Sequence, residues 1–127
     1  MASDKRKYTR THEWIRVEGD RLVVGVTDYA QNAMGDVTFI ELPTVGERVS
    51  RGQQCAVIES VKAATEIFAP VTGDVAEVNE ALNETPEKVN EDPYGEGWIF
   101  ELENFASDEM EELMDTSGYE RHLESEQ

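Results

Sequence analysis

Most of the chain consists of short apolar runs, some alternating with polar residues in the period of a strand with one covered face and some continuous as in a buried strand. "WIRVE" (14–18) puts Ile15 and Val17 on one side and Trp14, Arg16 and Glu18 on the other, which predicts a strand with one wet face. "EGD" (18–20) turns the chain, and "RLVVGV" (21–26) predicts a second, buried strand carrying a glycine. The period then changes. Over "TDYAQNAMG" (27–35), Tyr29, Ala30, Ala33 and Met34 share a helical face, Thr27 or Asp28 can cap, and Gly35 suits the position just past a helix end. Strand patterning returns at "DVTFIEL" (36–42), stopped by Pro43 and Gly46, and continues through 47–52, 53–59, 65–69 and 74–79 with Gly, Pro or polar turns between. Residues 80–97, with Pro86, Pro93, Gly95 and Gly97 among polar neighbours, predict a long surface connection holding one helical turn. "WIFELE" (98–103) predicts a last strand with Trp98, Phe100 and Leu102 inward.

The tail differs in kind. "SDEMEELMD" (107–115) offers Ser107 as a helix cap, loads Asp108, Glu109, Glu111 and Glu112 near the positive end of the helix dipole, and spaces Met110, Leu113 and Met114 for core packing. "SGYE" (117–120) matches a capping box and opens a final short helix anchored by Leu123. Many short strands closed by helical pieces predict a mainly β fold, a small sandwich or flattened barrel of hairpins. It carries a short internal helix and a C-terminal helical segment over 107–123. With 127 residues the chain holds one core and not two. A single domain over 8–127 is expected behind a flexible stretch at 1–7. Two segments, "VGERV" (45–49) and "VTGDV" (71–75), echo each other and suggest similar strand–turn units about a pseudo-twofold axis.

Charge narrows the partners. Lys and Arg total 11 against 28 Asp and Glu, a formal charge of −17. That argues against nucleic acid, whose binding rests on clustered basic residues, and steers the chain toward partners with basic patches. No apolar run approaches membrane-spanning length, and "MASDKRKYTRTHEW" at the N-terminus lacks the apolar stretch of a secretory signal. A cytoplasmic protein of bacterial or archaeal type is expected, ahead of a processed mitochondrial one. Cys55, the single cysteine, lies in an apolar run and is expected to serve as a small buried hydrophobe.

Catalytic patterns do not emerge. His12 and His122 stand near opposite ends of the chain, no Cys/His spacing suits a metal, and there is no GxSxG, P-loop or GxGxxG pattern. His12 beside Glu13 reads as a surface histidine more readily than as half of an acid–base pair. The chain is expected to have no chemistry of its own.

One turn breaks the usual rules. In "VIESVKAATEIFAP" (57–70), Lys62 stands between Val61 and Ala63 at the centre of a polar link joining two apolar runs. Lysine neither favours positive φ as Gly or Asn does nor presets φ as Pro does. A hairpin tip holds such a side chain away from the body, and small neighbours let another protein's active site close over it. A lysine so presented suits a carried group, whose amide bond removes the charge and whose chemistry the scaffold lacks. The competing reading is a plain interaction module with Lys62 unmodified.

The same residues carry a resemblance. "VIESVKAATEIFAPVTGDVAEVNEAL", preceded by "HEW" and "TDYAQ" and followed by "DPYGEGW", resembles the H-protein family of the glycine cleavage system over nearly the whole chain. The resemblance implies a lipoyl/biotinyl-type β-sandwich that is a carrier and not an enzyme, with lipoic acid joined to Lys62 by an amide bond. Its implied partners are a pyridoxal-phosphate glycine decarboxylase, a folate-dependent aminomethyltransferase, dihydrolipoyl dehydrogenase, and a lipoate ligase or octanoyltransferase. No membrane partner is expected. The resemblance marks Glu59 and Gly73 for recognition by the modifying enzyme, with Gly73 expected at positive φ in a turn facing the lysine across the sheet. It marks Thr11, Glu13 and Glu66 for a cleft that holds the loaded arm. Biotin carriers typically set their lysine between methionines, and lipoyl domains of 2-oxo-acid dehydrogenases usually place Asp before it; neither pattern occurs here. A relay of lipoyl or octanoyl groups to other lipoyl domains is the alternative within the same class.

Overall fold

The computed structural model describes residues 6–126. Residues 1–5, most of the stretch expected to be flexible, lie outside the described residues. In chain order the elements are β1 (Lys7–Tyr8), β2 (Glu13–Glu18), β3 (Arg21–Val26), α1 (Asp28–Met34), β4 (Val37–Glu41), β5 (Arg48–Val49), β6 (Gln54–Ser60), β7 (Ala64–Phe68), β8 (Gly73–Val78), α2 (Lys88–Glu91), β9 (Phe100–Glu103) and α3 (Thr116–Glu126). Short 3-10 turns cover Glu80–Asn83 and Ser107–Glu112. The strands form a six-stranded sheet, ordered β1-β2-β3-β9-β8-β5, and a three-stranded sheet, β4-β6-β7, all antiparallel. Ile40, Ile58 and Ile67 from the small sheet join Val24, Val75 and Leu102 from the large one in a single buried cluster. This is the mainly β sandwich that the alternating runs predict.

The large sheet also has a covered outer face, and there the single wet face expected of β2 is corrected. Trp14 is wholly buried, and Tyr8, Val23 and Tyr119 join it in a second cluster, covered by Tyr94, Trp98, Met114 and Leu123. Trp14 pairs across the strands with Gly25, and a Cβ at Gly25 would lie 2.6 Å from the indole nitrogen. The strand glycine therefore makes room for a ring. That nitrogen donates to the Pro93 carbonyl at 2.9 Å, so the 80–97 connection packs onto the sheet, with Leu82 and Val89 wholly buried. Val17, expected on the covered side, is exposed. Trp98 precedes the final strand and packs in the outer cluster, while Phe100 and Leu102 point to the main core.

Helix α1 has the expected ends. The Thr27 side chain accepts from the Ala30 amide, and Gly35 follows at φ +79°. Its buried residues are Gln31 and Met34, whereas Ala33 is exposed. A buried glutamine is tolerated because it is satisfied: Gln31 accepts from Asn90 Nδ2 at 2.9 Å, and the same amide group donates to the Gly35 carbonyl at 2.9 Å. The echoing segments pair with each other, Arg48 opposite Asp74 and Val49 opposite Gly73, so only two residues of the 47–52 run are strand.

The tail differs from its sequence pattern at the caps. Residues 107–112 form a 3-10 turn in which Ser107 does not cap; Met110 and Leu113 pack on the main core as expected. After it, Met114 pairs with Tyr8 through two backbone hydrogen bonds. Helix α3 starts one residue before the expected capping box, and Asp115 accepts from the Gly118 amide at 2.8 Å.

Candidate attachment turn and its two clefts

Residues 60–63 turn β6 into β7 without glycine. The Ser60 hydroxyl donates to the Ala63 carbonyl at 3.1 Å and lies 3.3 Å and 3.4 Å from the Lys62 and Ala63 amides, which donate to it. The Ser60 amide donates to the same carbonyl at 2.9 Å. Serine thus supplies the hydrogen bonds that close the turn, and neither Val61 nor Lys62 needs a positive φ. The Val61 amide donates to the Asp36 carbonyl at 3.0 Å, leaving its side chain 67% exposed. Lys62 is exposed and has no ion-pair partner among the described residues. Its methylene stem runs beside Gly35, where an added Cβ would lie 3.5 Å from Cε.

Lys62 borders a cleft of about 230 Å³ with walls from Thr11, His12, Tyr29, Ala33, Met34 and Thr65. Thr11 also lines a second, larger cleft of about 510 Å³, whose apolar walls include Tyr8, Phe68, Pro70, Leu113 and Met114. Glu13 lies in this larger cleft, 1% exposed. It is not the solvated strand-entry residue its polarity suggests. The hydroxyls of Thr9 and Thr11 both donate to its Oε1, Thr11 at 2.6 Å, and the Phe68 amide lies 3.2 Å from Oε2. Burial pushes the Glu13 carboxyl above its ordinary value, and these hydrogen bonds partly offset that push. Arg51 and Glu112, paired at 2.6 Å, stand among the lining residues.

A family model described as Glycine cleavage H-protein matches residues 6–126. The chain belongs to the glycine cleavage H-protein family. It is 57% identical over 121 residues to the glycine cleavage system H protein of Thermus thermophilus, covering 95% of this chain and 94% of the relative. Identity to the glycine cleavage system H protein of Carboxydothermus hydrogenoformans is 51% over 120 residues, covering 94% and 92%. A crystal structure of a glycine cleavage system H protein from Mycobacterium marinum superposes with a TM-score of 0.85 at 37% identity, covering 94% of this chain and 97% of that one. This H-protein chain is a shuttle subunit of the glycine cleavage system, a lipoyl carrier and not a catalyst. Among the described residues no helix is long and apolar enough to cross a membrane.

Within the H-protein fold the other expected residues are dispersed. Glu59 is exposed near the end of β6, opposite Ala64. Glu66 is exposed on β7, lines neither cleft, and its carboxylate has no side-chain partner among the described residues. Gly73 departs from expectation. It is buried in the large sheet and lacks positive φ. The five residues of β7, ending at Phe68, carry the chain roughly 17 Å from the lysine turn at strand rise, so Gly73 follows the far end of that strand. A Cβ there would sit 3.2 Å from the Glu103 carbonyl oxygen and from Phe105 Cβ. Close packing, not turn geometry, explains this glycine.

Two features escape sequence reading. Thr9, paired with Thr11 on Glu13, is an ordinary polar residue until the turn at 9–12 folds it back. His12 and His122, remote in sequence, have ring centroids 5.8 Å apart, and His12 is half-buried, not a surface histidine. Cys55 is half-buried against the main core, and burial pushes its thiol up to about 12, so it stays an inert thiol.

Proposed function

We propose that Lys62 is the lysine that carries the lipoyl group, and that the cleft ending on Glu13 shelters the loaded arm between enzymes. The observation behind this reading is an exposed lysine with no ion-pair partner among the described residues, bordering one cleft that shares Thr11 with a second, larger cleft lined by a buried, hydrogen-bonded carboxylate, Glu13. The residues fit the group: a cleft lined by Tyr29, Ala33 and Met34 adjoins Lys62, and Thr11 belongs to both clefts. When bound, the lipoyl group supplies a dithiolane that accepts the aminomethyl unit of glycine and two electrons.

The chain's own residues then bind and shield. The aminomethyl cargo is a cationic amine, and a cation is costly to bury without a partner. Glu13 is the complementary group, a carboxylate already out of water. Each charge offsets the desolvation of the other, and a cation beside Glu13 favours its ionised form. Thr9 and Thr11 orient the carboxylate. Tyr8, Phe68, Pro70, Leu113 and Met114 keep water from the labile linkage. Glu66, four residues after Lys62, adds negative charge on the neighbouring strand.

The proposed partners are the pyridoxal-phosphate glycine decarboxylase, the folate-dependent aminomethyltransferase, dihydrolipoyl dehydrogenase, and a lipoate ligase or octanoyltransferase. An acidic surface suits basic docking patches on these enzymes. Glu59, exposed three residues before Lys62, is available for direct contact with the modifying enzyme, whereas Gly73 acts through the fold. The bacterial origin of the relatives named above supports a cytoplasmic site of action.

Two measurements test the reading. Peptide mapping of protein from its native host is expected to find one lipoylated lysine, Lys62. Release of ammonia and formaldehyde from isolated loaded protein, without the transferase, is expected to run several-fold faster in Glu13→Gln. Modification elsewhere overturns the first part, and equal decay overturns the second.

A further inference from the structure

The Tyr119 hydroxyl joins three parts of the chain that are far apart in sequence. It lies 2.8 Å from His12 Nδ1 and 2.7 Å from Thr27 Oγ1. Thr27 caps α1, which supplies Tyr29, Ala30, Ala33 and Met34 to the lysine cleft. His12 stands between Thr11 and Glu13 and has a left-handed backbone, φ +73°. A non-glycine residue holds that conformation only where its surroundings impose it. The Thr27 oxygen also accepts from the Ala30 amide at 3.2 Å, so the Tyr119 hydroxyl is held between the cap of α1 and the His12 ring.

The rest of α3 grips the same loop. The Tyr119 ring stacks on Tyr8 at 4.6 Å, and His122 Nε2 lies 3.1 Å from the Arg10 carbonyl. The His12 amide donates to the Thr9 carbonyl at 3.2 Å, and the His12 carbonyl accepts from the Thr27 amide at 3.0 Å. Residue 12 is thus fixed from both backbone sides and from its ring. The turn it ends is the one that folds Thr9 and Thr11 onto Glu13.

We infer that Tyr119 is a positioning residue for cargo retention: its hydroxyl fixes His12 in the left-handed conformation that directs Thr9, Thr11 and Glu13 into the larger cleft. Helix α3 is then part of the shelter and not only an appendage. This inference rests on the proposed role of the Glu13 cleft, and the experiment separates the two.

Tyr119→Phe in the full chain keeps the ring on Tyr8 and removes only the hydroxyl. In the unlipoylated protein, a carbon-NMR titration of the Glu13 carboxyl is expected to move down toward the ordinary carboxylate range, because burial is the larger influence on it and a loosened turn admits water. In loaded protein, held well below the melting temperature of every variant, decay of the cargo is expected to quicken roughly three- to tenfold, as for loss of a buried hydrogen bond. The double variant Tyr119→Phe, Glu13→Gln is expected to decay no faster than Glu13→Gln alone. A purely structural tyrosine would lower the melting temperature and move neither the titration nor the decay. An unchanged titration, an unchanged decay or additive effects in the double variant overturn the inference. If Glu13→Gln itself decays like wild type, the cleft reading fails and this inference with it. If only Tyr119→Phe matches wild type, the cleft reading stands alone.

Discussion

The backbone amide of Phe68 donates to the carboxylate of Glu13 across 55 residues of sequence, at 3.2 Å. Phe68 ends β7 in the small sheet, and Glu13 begins β2 in the large one. One side chain therefore ties the two sheets together and faces the cleft proposed for the cargo. A group with both duties should show a conflict between stability and function.

That conflict has a sign. Burial raises the Glu13 pKa in the folded state, so between its unfolded value and its folded value the native chain binds more protons than the unfolded one. Stability from this group falls as pH rises through that window and is flat above it. Glu13→Gln removes the cost of the buried charge and keeps the shape. Its stability at neutral pH is expected to equal or exceed that of wild type, with the difference vanishing below the ordinary carboxylate range. Urea unfolding at several pH values checks this. A variant more stable than wild type yet faster to lose its cargo is the result expected of a functional carboxylate.

Lys62→Arg is expected to abolish lipoylation and shuttle activity with stability unchanged within about 0.5 kcal/mol, as for an exposed turn residue without a partner. Arginine keeps the charge and cannot form the amide. Intact mass, thermal melting and a reconstituted glycine cleavage assay check the three parts, and retained glycine cleavage would refute the assignment of Lys62.

At Gly25 a Cβ would lie 2.6–2.8 Å from three atoms of the Trp14 indole. The ring cannot retreat, being wholly buried and held by Pro93. Gly25→Ala is therefore expected to destabilise by about 3 kcal/mol, at the upper end of overpacking costs, visible as a lower urea midpoint at unchanged slope.

Gly73→Ala meets Glu103 and Phe105 at 3.2–3.3 Å, largely backbone that shifts less readily than a flexible side chain. A loss of about 1–2 kcal/mol is expected, so any drop in lipoylation rate should track unfolding. Glu59→Gln provides the contrast, with slower ligation at unchanged melting temperature. Unchanged ligation in Glu59→Gln removes that residue from recognition.

Local chemistry made much of this molecule legible in advance. Thr27 and Gly35 bound α1 because caps and positive φ are properties of single residues, and the strands follow from short alternating or continuous apolar runs bounded by turn residues. The tight turn around Lys62 is legible from the two apolar runs that flank it, whereas the closing role of the Ser60 hydroxyl appears only in the folded turn. The errors share a cause. Trp14 reads as a wet-face residue because most of its cover, Pro93, Tyr94, Trp98, Met114, Tyr119 and Leu123, lies 79 or more positions away. Ser107 and Ser117 look like caps by type, yet the tertiary path of the tail gives that role to Asp115 at α3 and to no side chain at the 3-10 turn.

The amino-acid sequence by itself determined the alternation that builds two sheets, the exposed lysine turn, the acidic surface and the absence of a catalytic pattern. Only the tertiary structure decided that Glu13 is buried while Glu66 is exposed, though both are glutamates on strands. It also decided that His12 meets Tyr119, and that Gly73 is a packing glycine. The physical reason is range. Period, caps and turns are set by neighbours within a few residues, whereas desolvation of a carboxylate or the pinning of a left-handed histidine depends on groups brought close only when the whole chain has folded.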